Sequence, residues 1–212
     1  MKKNLIIIGA GPFGREIRDL AAGIESAAGE DCPWRLTGFL DDRDVSPGGI
    51  PVLGSPADHQ PKAGDVFVCA IGDPKQRAKY AAMLRARGGE FAILVEPSAK
   101  IGGQTELASG CIVGPFCVIS CHVTTGQDTV FTSHVTVGHD VRLGMFCHVA
   151  AYAFLGGGAI IGDHVIIHPH ASILPGVTIG DGATIGAGSV VMRSVPAGAT
   201  VFGVPAMKVA KP

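Results

Sequence analysis

The chain has no apolar run approaching the ~20 residues needed to cross a bilayer as a helix. Its first run, Leu5-Ile6-Ile7-Ile8, is interrupted at Gly9, too soon for the apolar part of a signal peptide. The expected location is therefore the cytoplasm. There is no excess of either charge: 17 Lys and Arg face 18 Asp and Glu, a formal net charge of −1. A general electrostatic attraction to nucleic acid or anionic membrane is thereby excluded. Aromatic residues make up only 6%, which argues against a core built on large rings. The six cysteines contain no Cys-x-x-Cys pair and no metal-ligand spacing, and a reducing compartment disfavours a disulfide framework.

Glycine, by contrast, is abundant, at 31 of 212 residues against an ordinary share of roughly 7%. Charge is unevenly spread. Residues 1–98 carry 12 basic and 13 acidic residues, and residues 99–212 carry 5 of each with seven of the eight histidines. This change of composition near Pro97 predicts two domains, 1–97 and 98–212.

The second stretch is periodic. From Ile101, every sixth residue to Val191 is apolar in fifteen of sixteen cases, Thr125 being the exception. The residue four places after each of these is small or Val in all sixteen, and Gly follows the aliphatic position directly in nine. A period of six fits neither a helix nor one long strand, but it fits a short strand followed by a tight corner. Three such hexads close a triangular coil of 18 residues, and coils stack at the ~4.8 Å spacing of paired strands. Cys111, Cys117 and Cys147 fall on the small inward position and read as small core fillers.

The first stretch reads as α/β. Lys3 to Ile8 predicts a buried strand, Gly9-Ala10-Gly11-Pro12-Phe13-Gly14 fits G-x-G-x-x-G, and Arg15 to about Ala22 predicts a helix. Further strands are expected over Arg35–Leu40, ending in Asp41-Asp42, and over Val66–Ile71, ending in Gly72-Asp73-Pro74. A helix to about Arg87 and a strand over Phe91–Val95 would complete the unit. A Gly-rich turn lets backbone N–H groups at a helix N-terminus approach phosphate oxygens. About 95 residues hold only half of a dinucleotide-binding sheet, so the expected ligand is a nucleotide-activated substrate. A dinucleotide and a purely structural turn remain alternatives.

The hexads and the exit Phe202-Gly203-Val204-Pro205-Ala206 resemble the hexapeptide-repeat acyltransferases, which implies a left-handed parallel β-helix after a Rossmann-like half domain. The whole chain resembles a narrower family, the bacterial sugar O- and N-acetyltransferases. The residues that carry this resemblance are Gly9 to Gly14, Phe39-Leu40-Asp41-Asp42 and Ala70-Ile71-Gly72. Such a resemblance implies acetyl-CoA as co-substrate, no metal, and a homotrimer with active sites between subunits. It also implies a small domain that holds the sugar's nucleotide through Gly11, Pro12, Phe13, Asp41, Asp42 and Gly72. Some relatives carry Ser-Gly-His at 11–13, and others carry Glu at 140.

Acetyl transfer requires a base, and His suits that role near neutral pH. His139 follows Gly138 at a hexad corner with Asp140 beside it, and the resemblance makes the pair catalytic. Eighteen residues on lies Gly157, between Gly156 and Gly158, where a thioester could rest on bare backbone. By resemblance His148, Gly157, Pro169 and Ala187 contact acetyl-CoA. The 18-residue step also puts His122 beneath Asp140, a competing pairing, and groups His134, Tyr152 and His170 in one column. The acceptor is expected to be the amino group of a nucleotide-linked sugar in surface-glycan biosynthesis, with O-acetylation of a sialic-acid-like sugar as the alternative. More distant readings are a zinc hydratase, suggested by His134-x4-His139, and a non-catalytic scaffold.

Overall fold

The computed structural model describes residues 2–45 and 47–209, and the chain divides into two compact units between Pro97 and Ser98. In the first unit, β1 (Lys3–Ile8), β2 (Trp34–Leu40), β3 (Asp65–Cys69) and β4 (Glu90–Phe91) form a parallel sheet in the order β2-β1-β3-β4. Helices α1 (Pro12–Ala28) and α2 (Pro74–Ala86) make the crossovers. A central parallel strand is covered on both faces, so its sequence is continuously apolar rather than alternating. Leu5 to Ile8 are accordingly all buried, and Ile6, Ile8, Leu40, Phe67, Cys69 and Leu84 share one core cluster.

Helix α1 is longer than expected at both ends. It starts at Pro12, whose missing N–H and fixed φ suit a first helical position, and stops where Gly29 takes φ +54°. Pro12, Phe13 and Gly14 thus form its first turn. The strand expected over Phe91–Val95 is split into β4 and a short piece, Leu94–Val95. Among the described residues no helix is long and apolar enough to cross a membrane.

The second unit is a left-handed parallel β-helix. Two-residue strands recur every six residues, and up to the last coil each pairs with the strand eighteen residues on: Val130 lies between Ile112 and His148, Thr136 between Val118 and Phe154, Arg142 between Thr124 and Ile160. Three faces result. The first carries His148, the second Thr136 and Phe154, and the third Arg142. The polar interior exception, Thr125, is satisfied, since its Oγ1 accepts the Ala108 N–H at 3.1 Å and lies 3.2 Å from Cys111 Sγ. The small-position cysteines do more than fill space. Cys117 and Cys147 direct their Sγ at corner carbonyls of Thr132 and Gly162, each at 3.0 Å.

Glycine after the aliphatic position is required by crowding rather than by φ. A Cβ on Gly114 would lie 2.3 Å from the Thr132 carbonyl oxygen, and one on Gly138 would lie 2.6 Å from the Gly157 nitrogen. The left-handed backbone falls two residues later in each hexad, at positions such as Phe116, His122, His134, Asp140, Tyr152 and His170, with φ between +57° and +61°.

Candidate active site

Two sites can be built from the residues upward, one in each unit. In the first unit the C-terminal ends of β1, β2 and β3 open into a cleft of about 370 Å³. Such strand ends are the ordinary ligand position in open α/β sheets. Its walls are the Gly9–Phe13 turn, Asp41 to Arg43, Ala70 to Gly72, and Gln76 and Tyr80 on one face of α2. Gly9 holds φ +99°, and a Cβ on Gly14 would lie 2.0 Å from the Gly9 carbonyl oxygen, so only glycine lets α1 pack this close to the turn. Helix α2 is capped by Asp73, whose carboxylate accepts the Gln76 N–H at 2.8 Å. Helix α1 has neither a side-chain cap nor an acidic residue in its first turn. Its N-terminus therefore turns toward the cleft without an anionic group of its own.

The structure gives the two aspartates of the cleft different roles. Asp41 is a brace. Its Oδ2 accepts the Ala10 N–H at 2.7 Å and its Oδ1 the Arg43 N–H at 2.9 Å, while the Arg43 guanidinium grips both oxygens at 2.9 Å. The Arg43 hydrogen bond is the main reason its carboxyl drops from 3.8 to about 2. Asp42 is exposed and accepts from the Ser55 and Tyr80 hydroxyls, which lower its pKa. Tyr80 is raised by the same bond. Behind the cleft wall the buried Arg77 donates to the carbonyls of Ile71 and Gly72 at 2.6 and 3.1 Å, fixing the strand end that faces the ligand space. Arg43, Ser55, Tyr80 and Arg77 were not read from the sequence. Tyr80 stands four residues after Gln76 on α2 and hence on the same face.

In the second unit, the corner that follows the second face brings His139, Asp140 and Gly157 together. The left-handed φ of +59° at Asp140 lets two consecutive side chains leave the corner side by side, and His139 Nδ1 lies 2.6 Å from Asp140 Oδ2. That reach is sufficient with the shorter carboxylate. The bond is the main cause of Asp140's lowered pKa. His139's ring lies against Gly157, where an added Cβ would meet Nε2 at 2.8 Å. The carbonyl of His139 accepts the Gly158 N–H at 2.8 Å, whereas the Gly157 N–H makes no hydrogen bond among the described residues. The competing partner His122 makes no hydrogen bond to Asp140 among the described residues.

The other expected residues lie elsewhere in the same chain. His148 is half-buried on the first face, half a coil away from His139. Pro169 and Ala187 are exposed, one coil apart, on the corner that follows that face. This corner also carries a ladder of stacked rings, Phe116, His134, Tyr152 and His170, with centroids 4.6 to 4.9 Å apart. His134 and His139 sit on different corners, so the His-x4-His pair does not converge. Among the described residues no group of three or more His, Cys, Asp or Glu is placed to hold a metal ion.

With this geometry in hand, comparison with known proteins defines the class. Residues 4–84 match the PglD N-terminal domain family, and residues 158–193 match the bacterial transferase hexapeptide family (six repeats). The first unit thus matches a PglD-type N-terminal domain and part of the second a bacterial transferase hexapeptide repeat. It is similar to the acetyltransferase domain of PglB from Neisseria gonorrhoeae, at 28% identity and a TM-score of 0.90 over 98% of this chain and 100% of that one. It is also similar to PerB from Caulobacter crescentus, solved in complex with CoA and GDP-perosamine, at 29% identity and a TM-score of 0.86 over 98% of this chain and 97% of that one. An acyl-[acyl-carrier-protein]–UDP-N-acetylglucosamine O-acyltransferase of Stenotrophomonas maltophilia is 32% identical over 119 residues, 53% of this chain and 43% of that protein. The chain spans less than half the length of the curated relatives it matches.

Proposed function

We propose that the chain is a cytoplasmic, acetyl-CoA-dependent N-acetyltransferase that acts on the amino group of a nucleotide-linked amino sugar in surface-glycan biosynthesis. The observation that carries this reading is the His139–Asp140 pair seated over the Gly157 backbone, in a chain that is similar over 98% of its length to a protein solved with CoA and a nucleotide sugar. In the reaction, the sugar nitrogen attacks the thioester carbonyl carbon, a C–N bond forms and the C–S bond breaks. His139 Nε2, on the ring edge that faces Gly157, takes the proton shed by the nitrogen and returns it to the departing sulfur. Asp140 fixes the tautomer by accepting at Nδ1 and favours the transient imidazolium. The Gly157 N–H is a donor free to stabilise the oxyanion.

The nucleotide is assigned to the first-unit cleft. Its phosphates would lie at the Gly11-Pro12-Phe13 turn, beside Gly72, with Asp42 as acceptor toward base or ribose and Asp41 as the brace beneath. Acetyl-CoA is assigned to His148, Gly157, Pro169 and Ala187. Because His139 and the Pro169–Ala187 pair stand on different corners of one prism, a complete site is best supplied by two copies, and we assign a homotrimer with shared sites. Titration calorimetry with UDP-, GDP-, CMP- and dTDP-linked amino sugars on acetyl-CoA-saturated protein tests this assignment. One nucleotide sugar should bind and its free sugar should not. Tight NAD binding would overturn the assignment.

A second reading is favoured by the similarity to an O-acyltransferase. If a free sugar hydroxyl is acetylated and every nucleotide-linked amine is left untouched, the chain is an O-acetyltransferase of the same class.

A further inference from the structure

The charged walls of the first-unit cleft are mostly acidic, which is an obstacle to any ligand that carries phosphate. Among the described residues that line it, the charged ones are Asp41, Asp42 and Arg43. Both carboxyls have lowered pKa values and are ionised at neutral pH. Lys79 is not one of the walls, and its ammonium lies 5.2 Å from the centroid of the Tyr80 ring. Arg43 is therefore the one cation in the described lining. Its Nε and Nη2 donate to the two oxygens of Asp41, each at 2.9 Å, so the guanidinium is gripped along one edge. A guanidinium carries more donors than one carboxylate can take. Arg43 Nη1 makes no hydrogen bond among the described residues, and the side chain is 63% exposed. Its Nη2 lies 3.2 Å from where a Cβ on Gly11 would stand, which puts the head of Arg43 over the Gly-rich turn. Gly11 has φ −72°, a backbone open to any residue, so glycine at this position leaves room for the guanidinium rather than serving the turn. The Gly11 N–H also makes no hydrogen bond among the described residues.

Resting on the nucleotide-sugar reading of this cleft, we infer that Arg43 is a phosphate-binding residue: Asp41 holds the guanidinium over the Gly11 turn, and its free edge takes phosphate oxygens of the nucleotide. The planar fork suits two oxygens of one phosphate or of neighbouring phosphates. Asp41 then has a second task, since the carboxylate that ties the turn also aims the arginine and spares it the entropy of ordering when the ligand arrives. Without Arg43, two ionised carboxylates would face the phosphates and repel them. One arginine thus converts an acidic cleft into one that admits an anion.

The test uses the full chain, Arg43→Gln, which removes the charge, and Arg43→Lys, which keeps the charge and loses the fork. Titration calorimetry measures UDP, GDP and dTDP, and NMR titration of the Gly11 and Gly72 amides measures the matching nucleosides. In Arg43→Gln the affinity for the diphosphate that binds wild type should fall roughly 10- to 100-fold, while its nucleoside binds as before. Arg43→Lys should recover part of that loss. Should Arg43→Gln fail to fold, the comparison is read from Arg43→Lys, in which the diphosphate alone should weaken. If Arg43 only braces the turn through Asp41, diphosphate and nucleoside weaken together. Equal losses, or no loss, overturn the inference and leave the nucleotide reading intact. A wild type that binds none of the three diphosphates overturns both. A diphosphate held through Arg43 by a protein that acetylates no sugar leaves the inference standing and rejects the acetyltransferase reading.

Discussion

Asp41 and Asp42 are neighbours of identical chemistry with different consequences for the molecule. The Asp41 side chain is almost inaccessible and ties the turn after β1 to the segment after β2, so its loss belongs to stability. Its folded pKa of about 2 lies below the ordinary 3.8. The stabilisation it gives is thus complete above the unfolded value and is lost as pH falls through the folded one. Asp41→Asn should cost about 1–2 kcal/mol at pH 7. Urea melts should show this gap closing between about pH 4 and pH 2. A gap of constant size over that range would mean that its charge is irrelevant. Asp140 is exposed, and in the proposed reaction it belongs to turnover. Its pKa is lowered by the His139 bond, so it stays ionised throughout the neutral range and the acid limb of activity must report another group. Gly157 tests the same corner by geometry. Gly157→Ala places a Cβ within 2.8 Å of His139 Nε2 and should lower kcat by about 10-fold or more, with little change in melting temperature, because only a flexible ring has to move. Unchanged turnover in this variant would remove Gly157 from the site.

At the scale of elements, the coil and the β1–α1 turn depend on glycine for the same steric reason. In Gly14→Ala the new Cβ would overlap the Gly9 carbonyl at 2.0 Å, which forces α1 off the turn. Nucleotide-sugar binding should be lost while the β-helix keeps its far-UV circular dichroism and its affinity for acetyl-CoA. Retained nucleotide-sugar binding would show that the turn is not part of that site. This scale was also the most legible in the sequence. An ungapped six-residue period can be satisfied by few folds, and the step of eighteen alone sets Gly157 one coil from His139. The left-handed corners were not legible. Phe116 and Tyr152 are poor candidates for positive φ on local grounds. Stacking in columns, as in the 4.6 to 4.9 Å ladder, outweighs that local preference. Nor could the sequence say which of Asp41 and Asp42 is buried. That depends on Arg43 folding back and on Ser55 and Tyr80 arriving from distant segments.

For the whole molecule, the proposed reaction places a base on one corner of each chain and the proposed acetyl-CoA contacts, Pro169 and Ala187, on another. The exposed ladder and the neighbouring Val118 and Phe154 give the prism apolar surface suited to covering by another copy. Sedimentation equilibrium at micromolar concentration should return a trimer, and a monomer would contradict the shared site. The most direct test of the central claim is thiol release from acetyl-CoA with the nucleotide-linked amino sugar selected by calorimetry. Wild type and His139→Ala are compared, and the product is assigned by NMR. The account predicts a new amide on the sugar nitrogen, and a kcat lowered by roughly 10² to 10⁴ in His139→Ala with acetyl-CoA affinity nearly unchanged. Near-normal turnover in His139→Ala, or an ester in place of the amide, would contradict it.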